Sequence, residues 1–302
     1  AILDVALDND CEALAHGATG KGNDKLRFEA VWRASELNVV APIREKGLTR
    51  QWERDYAAER ELPVEMGNEG IWSIDTNLWS RSVEGGELEE PGHVPSEEIY
   101  EWTEAPGTET EEVEITFTEG RPVAVDGDAM DPVPLVEHLN QRAGPYGIGR
   151  TDVMEDRLLG LKVRENYEHP AATVLLNAHK GLESLVLTKE ERGFKRRVDD
   201  RGAEKAYEGL VDAPLVDALE GFVNETQTKV TGTVTVRFEG GQARVVGQES
   251  PYAVYEAAFA SFSTEDVGDI TQADATGVAK YHGFQERFAN RVRERGDAET
   301  ED

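Results

Sequence analysis

The 302-residue sequence predicts an α/β fold in its first part and an α+β fold in the remainder. Three observations carry this. Helical and strand-like segments alternate over roughly the first sixty residues, that rhythm breaks after Pro63, and two hairpins of period-two alternation follow beyond Glu112.

"AILDVALDND" reads as an amphipathic helix with Ile2, Leu3, Val5 and Leu7 as its apolar positions. A short strand at "CEALAHG" leads into a glycine loop, "HGATGKGND". A helix from about Lys25 to Glu36, the strand "LNVVAP" and a helix through "TRQWERDYAAERE" follow. This is the pattern of a parallel-sheet layer, in which ligands bind at the carboxyl ends of strands, and the glycine loop sits at one such end. "GNEGIWSIDTNLWSRSVEGG" carries no clean period. Glu84 to Glu112, rich in Glu, Pro and Gly, reads as a long solvated excursion.

Beyond it come a hairpin at "EVEITFTEGRPVAVDG", a helix at "PVPLVEHLNQRAG", a further strand region, a helix at "AATVLLNAHKGLESLVL" and another helical stretch. A second hairpin, "KVTGTVTVRFEGGQARVVGQES", turns at Gly-Gly. A last helix, from about Ala275 to Arg295, aligns Val278, Tyr281, Phe284, Phe288 and Val292 on one face; the acidic tail "GDAETED" is expected to be disordered. The expected domains are therefore 1–64, 65–274 and 275–302.

Asp and Glu number 61 against 32 Lys and Arg, a formal charge of -29, and arginine outnumbers lysine 22 to 10. Such a surface repels nucleic acid and anionic membranes and suits concentrated salt, where self-repulsion is screened. Cys11 stands alone, so no internal disulfide forms and a core position is expected. No run approaches the roughly 18 apolar residues of a membrane span. The expected location is the cytoplasm. The chain opens without Met, inside a helical pattern, and is expected to continue upstream in the natural protein.

The glycine loop fits neither phosphate-binding loop nor dinucleotide spacing. Two residues, not four, separate Gly17 from Gly20, and the third glycine of G-x-G-x-x-G would fall on Lys25. Its glycines still allow a ligand close to backbone N–H groups ahead of a helix N-terminus. Asp24 is a good N-cap, yet Lys25 and Arg27 then occupy the first helical turn, where the macrodipole disfavours cations by about 0.3–1 kcal/mol each. Two readings stay open: an anionic ligand, or ion pairs with neighbouring Glu residues. His16 reads as a packing or hydrogen-bonding residue, Ser73 and Ser82 as loop hydroxyls, and Glu155 and Tyr167 as polar groups flanking "LLGLKV". The histidines show no metal-ligand spacing, and no serine nucleophile elbow occurs.

Taken together, "AHGATGKGNDKLRFE", "IWSIDTNLWSRS", "GPYGIGRTDVMEDRLLGLKVRENYEHPAATVL", "VTGTVTV", "ESPYAVYE" and "DATGVAKYH" resemble the argininosuccinate synthase family, in the family's order and over nearly the whole chain. The resemblance implies an adenine nucleotide alpha hydrolase-like domain without its first strands, an α+β synthetase domain and a C-terminal oligomerisation helix. It implies ATP-dependent ligation of citrulline and aspartate in arginine biosynthesis, releasing AMP and pyrophosphate, by a homotetramer using ATP with Mg²⁺ and no tightly bound cofactor.

By the same resemblance, Ala15, His16, Gly17, Ala18, Thr19, Gly20, Lys21, Gly22 and Asn23 form an ATP-contacting loop. Thr19, Asn23 and Asp24 match aspartate-binding positions; Asn23, Arg27, Ser73, Ser82, Glu155 and Tyr167 match citrulline-binding ones. Another ATP-pyrophosphatase ligase would leave Ser73, Ser82, Glu155 and Tyr167 unexplained. No side chain is an obvious general base. The family's S-G-G-x-D-[ST] loop, which grips pyrophosphate, occurs nowhere in these residues. The chain by itself is therefore expected not to ligate. The alternative from another class is a non-catalytic amino-acid-binding or assembly fragment of such an enzyme.

Overall fold

The alternation of the first sixty residues becomes α1 (Ile2–Asp8), β1 (Ala13–Ala15), α2 (Asp24–Trp32), β2 (Asn38–Val40), α3 (Pro42–Lys46) and α4 (Arg50–Glu59). The computed structural model describes residues 1–63, 72–260 and 271–300, so the boundary expected at 64 lies outside the described residues. β1 and β2 pair in parallel, Leu14 opposite Val39. α3 starts at Pro42 and stops at Gly47, whose φ of 59° is left-handed and open to glycine without strain. Thr49 caps α4 by accepting the Trp52 N–H.

Three details differ from the sequence reading. A two-turn helix meets its sheet along one narrow flank, so α1 buries Ala6 and part of Leu3 against Leu14 and Trp32, while Ile2, Val5 and Leu7 stay exposed. Cys11 is exposed rather than core, in the turn whose N–H closes on the Ala6 carbonyl. α2 ends at Trp32, not Glu36, because the Ser35 hydroxyl turns back onto the Trp32 carbonyl at 2.7 Å and accepts the Leu37 N–H.

The stretch without a clean period contains a hairpin, β3 (Ser73–Thr76) and β4 (Arg81–Glu84). Asn77 Oδ1 accepts the N–H groups of Trp79 and Ser80 to form its turn. The strands are four residues each; one face carries Ser73, Asp75, Ser82 and Glu84, while on the other the apolar Ile74 and Val83 alternate with Thr76 and the buried Arg81, which hides the alternation. With β8 (Arg150–Asp156) and β9 (Lys162–Glu168) they make an antiparallel sheet ordered β3-β4-β9-β8.

The acidic excursion is not solvated throughout. Short 3-10 turns at Gly86–Glu89 and Glu97–Ile99 sink Leu88 and Ile99 beside Val83. Glu168, 1 % exposed, then fastens the following strap. It accepts the N–H groups of Glu101, Trp102 and Thr103, the Thr103 hydroxyl at 2.7 Å, and Arg81 Nη1 at 2.9 Å.

The two expected hairpins share a second antiparallel sheet made from β5 (Thr110–Thr118), β6 (Arg121–Val125), β7 (Asp128–Ala129), β10 (Gly232–Glu239) and β11 (Gln242–Glu249), ordered β11-β10-β5-β6-β7. Helices α5 (Pro132–Ala143) and α6 (Pro170–Val186) cover it. Ile115, Phe117, Leu135, Leu139, Leu182 and Phe238 form the main core. α7 (Lys189–Tyr207), opened by a Thr188–Glu191 capping box, packs with α8 (Pro214–Gln227).

Ala1–Val254 form one compact unit and Tyr255–Asp302 another. The second holds α9 (Ala257–Ala260), α10 (Gln272–Tyr281) and α11 (Phe284–Thr300). The single final helix expected from Ala275 is thus two, interrupted where Gly283 adopts a φ of 65°. Val278, Tyr281, Phe284, Phe288 and Val292 are exposed. α11 continues to Thr300, into the tail expected to be irregular; residues 301 and 302 lie outside the described residues. No helix among the described residues is long and apolar enough to cross a membrane.

Removing the buried carboxylate with Glu168→Ala strands Arg81 and three backbone N–H groups. Urea unfolding at high KCl should show a loss of about 3–5 kcal/mol. An unchanged midpoint would remove Glu168 as the anchor of the strap.

Candidate active site

Residues directly opposite in an antiparallel pair share a face of the sheet. Ser73 pairs with Glu84 and Asp75 with Ser82; Ser82 pairs with Tyr167; Tyr167 pairs with Thr151 and Glu155 with Val163. One face therefore carries Ser73, Ser82, Glu84, Glu155, Glu165 and Tyr167. The opposite face carries Arg81, Val83, Asn166 and Glu168. Four residues that the sequence set far apart, Ser73, Ser82, Glu155 and Tyr167, thus face the same way.

The Tyr167 hydroxyl lies 2.5 Å from Glu155 Oε1 and 2.6 Å from Glu165 Oε2, and its one proton can serve only one of them at a time. Burial and both carboxylates push the Tyr167 pKa up, so the phenol stays protonated. Arg157 Nη2 bridges Glu84 at 2.5 Å and Glu165 at 3.0 Å. Burial and the neighbouring Glu165 nevertheless raise the Glu84 pKa.

The glycine loop leaves the end of β1 and is held from behind. The Ala18 N–H donates to His16 Nδ1 at 3.1 Å. His16 is therefore the tautomer whose Nε2–H faces Glu29 Oε1, 3.2 Å away. Glu29 also takes Arg33, at 2.5 Å from Nη2, and Arg44. Burial opposes the Glu29 charge, but the hydrogen bonds from Arg33, Arg44 and His16 prevail and hold its pKa at about 2.

Lys25, buried, donates from Nζ to the carbonyls of Gly20 at 2.6 Å and Gly22 at 2.7 Å. Across trans peptides the N–H groups of Lys21 and Asn23 then point away from Lys25. They find no acceptor among the described residues. Arg27 meets the Tyr207 carbonyl at 3.1 Å and Asp24 at 3.3 Å. Both first-turn cations thus have partners within the chain, and the cap position belongs to Asn23, not Asp24. None of Gly17, Gly20 and Gly22 has positive φ, and a Cβ at any of them would meet only ordinary contacts, so the protein's own packing does not require glycine there.

Loop and sheet face meet at Asn23, 6 % exposed. Its Oδ1 accepts the Leu158 N–H at 3.2 Å, in the β8–β9 turn, and its Nδ2 donates to the Tyr207 hydroxyl at 2.6 Å, at the end of α7. Tyr207 in turn reaches Glu155 Oε2 at 3.2 Å. Asn23, Asp24, Arg27, Glu155 and Tyr167 consequently belong to one hydrogen-bonded chain, with Ser82 beside Tyr167 by register. Thr19 and Ser73, together with Lys21, Glu84 and Arg157, line an adjoining cleft of about 890 Å³. Sequence reasoning missed Glu84, Arg157, Glu165 and Tyr207. Glu84, Arg157 and Glu165 lay inside or beside the quoted motifs; Tyr207, 184 residues from Asn23, gave no local signal.

Residues 1–63 match the family described as the arginosuccinate synthase N-terminal HUP domain, and residues 72–289 match the arginosuccinate synthase C-terminal domain. The argininosuccinate synthase of Natronomonas pharaonis is 70 % identical over 300 residues, spanning 99 % of this chain and 75 % of that protein. Those of Halobacterium salinarum, 68 % identical over 96 % of this chain and 73 % of its own length, and Methanococcoides burtonii, 54 % identical over 95 % and 73 %, align likewise. Fold and site thus define an α/β HUP domain joined to a mixed α/β C-terminal domain. The chain belongs to the argininosuccinate synthase family, the ligases of arginine biosynthesis.

The Glu29 cluster sets a pH dependence. The carboxyl falls from its ordinary 4.5 to about 2 on folding, so its stabilisation is complete above about 4.5 and is lost as pH falls through about 2. Glu29→Gln should remove that share of the acid-side slope in urea unfolding at high KCl. Parallel profiles for both proteins between these pH values would contradict the cluster.

Proposed function

We propose that the loop from Ala15 to Asn23 receives ATP, that Thr19, Asn23 and Asp24 bind aspartate, and that Asn23, Arg27, Ser73, Ser82, Glu155 and Tyr167 bind citrulline. The carrying observation is that Arg27 and Glu155 both contact Tyr207. A cation and a carboxylate brought to the same tyrosine suit the carboxylate and ammonium of an amino acid. The outward N–H groups of Lys21 and Asn23, and glycines that packing does not demand, suit a phosphate lying close to the backbone.

On this reading the citrulline ureido oxygen attacks the α-phosphate of ATP, forming citrullyl-AMP as pyrophosphate leaves. The aspartate amine then attacks the activated carbon and AMP departs, the amine proton passing to solvent or product phosphate. The chain's part is to align two poor reactants and to hold charge with fixed donors. No group of three or more acidic, histidine or cysteine side chains able to hold a metal gathers among the described residues. Mg²⁺ bound with ATP would lower the charge on the phosphates. The enzyme works in the cytoplasm as a homotetramer, with the exposed apolar residues of α10 and α11 as contact surface.

In the protein expressed from its complete gene, Arg27→Ala or Glu155→Gln should raise the KM for citrulline about a hundredfold, because each leaves one charge of the substrate unpaired. Aspartate affinity measured alone should change little. Unchanged citrulline kinetics in both variants would overturn the assignment.

A further inference from the structure

Tyr207 lies outside every motif in the sequence, yet it closes the network between the two proposed amino-acid pockets. Its hydroxyl accepts from Asn23 Nδ2 at 2.6 Å and donates to Glu155 Oε2 at 3.2 Å. Its ring lies 5.0 Å below the Arg27 guanidinium and its main-chain carbonyl takes Arg27 Nε at 3.1 Å. Each contact therefore falls on a residue assigned above to a substrate.

The position is built from the backbone up. Tyr207 is the last residue of α7, and Gly209 follows with a φ of 76°; a Cβ there would come within 2.7 Å of the Arg27 Cα. Glycine lets the end of α7 lie directly on α2. Burial and the Glu155 carboxylate keep the phenol protonated, so it offers one proton and its lone pairs.

These bonds leave specific atoms available. Asn23 spends Oδ1 on the Leu158 N–H and one Nδ2 hydrogen on Tyr207, which fixes the amide orientation and leaves the second hydrogen for a ligand. Glu155 meets Tyr167 through Oε1 and Tyr207 through Oε2. Two tyrosines thus hold the carboxylate plane while one lone pair on each oxygen remains for an ammonium group.

We infer that Tyr207 is a positioning residue for both amino-acid substrates: without touching either, it orients Asn23 for aspartate and Glu155 for citrulline and supports Arg27 from below. This rests on the site reading given above.

The test is steady-state kinetics of Tyr207→Phe in the protein expressed from its complete gene. Phe keeps the ring under Arg27 and the main-chain carbonyl and removes only the hydroxyl. KM for citrulline and for aspartate should each rise about tenfold, with KM for ATP within twofold and the melting temperature unchanged. Tyr207→His, which retains a ring able to hydrogen-bond, should recover part of the loss, and it serves as the readout if the Phe variant does not fold. A common rise in all three KM values together with a lower melting temperature would reduce Tyr207 to structural support and overturn the inference. So would unchanged citrulline and aspartate KM in both variants while Glu155→Gln raises that for citrulline. If Glu155→Gln itself leaves citrulline unaffected, the underlying site reading fails instead.

Discussion

The buried amide of Asn23 is the constraint on which the site depends. A primary amide removed from water must find partners for its oxygen and nitrogen, and leaving them unmade costs about 1–3 kcal/mol. Asn23 finds them on two separate elements, the Leu158 N–H of the β8–β9 turn and the Tyr207 hydroxyl ending α7. Satisfying this one side chain brings the glycine loop of the small parallel layer over the polar face of the antiparallel sheet. Lys25 then turns the loop carbonyls of Gly20 and Gly22 inward. The same helix start thus ties the domains together and presents backbone donors outward.

The sheet beneath is arranged to tolerate charge on both faces. On the hidden face Glu168 neutralises Arg81 and satisfies three successive N–H groups, so a stretch rich in glutamate follows a defined path. On the other face Glu84 and Glu165 share Arg157, while Glu155, among the described residues, is hydrogen-bonded by the hydroxyls of Tyr167 and Tyr207. Among the described residues no Lys or Arg is hydrogen-bonded to this carboxylate, in a chain of net charge -29. That is the electrostatic condition under which an ammonium group is welcome.

Much of this was legible in the sequence, and the exceptions have physical causes. The βα rhythm, both long hairpins and α5 and α6 follow from periods that one buried face enforces. The β3–β4 hairpin was invisible because Arg81 occupies a buried position where an apolar residue would have revealed the alternation. The strap after Glu84 looked solvated because its anchors are single residues, Leu88 and Ile99, spaced without period. Lys25 and Arg27 signalled a special loop; apart from the nearby Asp24, their partners, glycine carbonyls and the Tyr207 carbonyl, are backbone atoms that residue identity does not encode. Ser73, Ser82, Glu155 and Tyr167 were legible only through family resemblance; strand register explains why they belong together. Tyr207 could be found only in three dimensions.

The central claim is that citrulline lies on the sheet face between Arg27 and Glu155, beneath the loop that Asn23 fastens. A crystal structure of the protein soaked with citrulline and aspartate tests it most directly. The expected result is citrulline density with its ammonium on Glu155 and its carboxylate toward Arg27, beside Ser82 and Tyr167. Density instead in the separate cavity of about 800 Å³ bordered by Asn77, Trp102, Val133 and Glu137, with none over Tyr167, would contradict it.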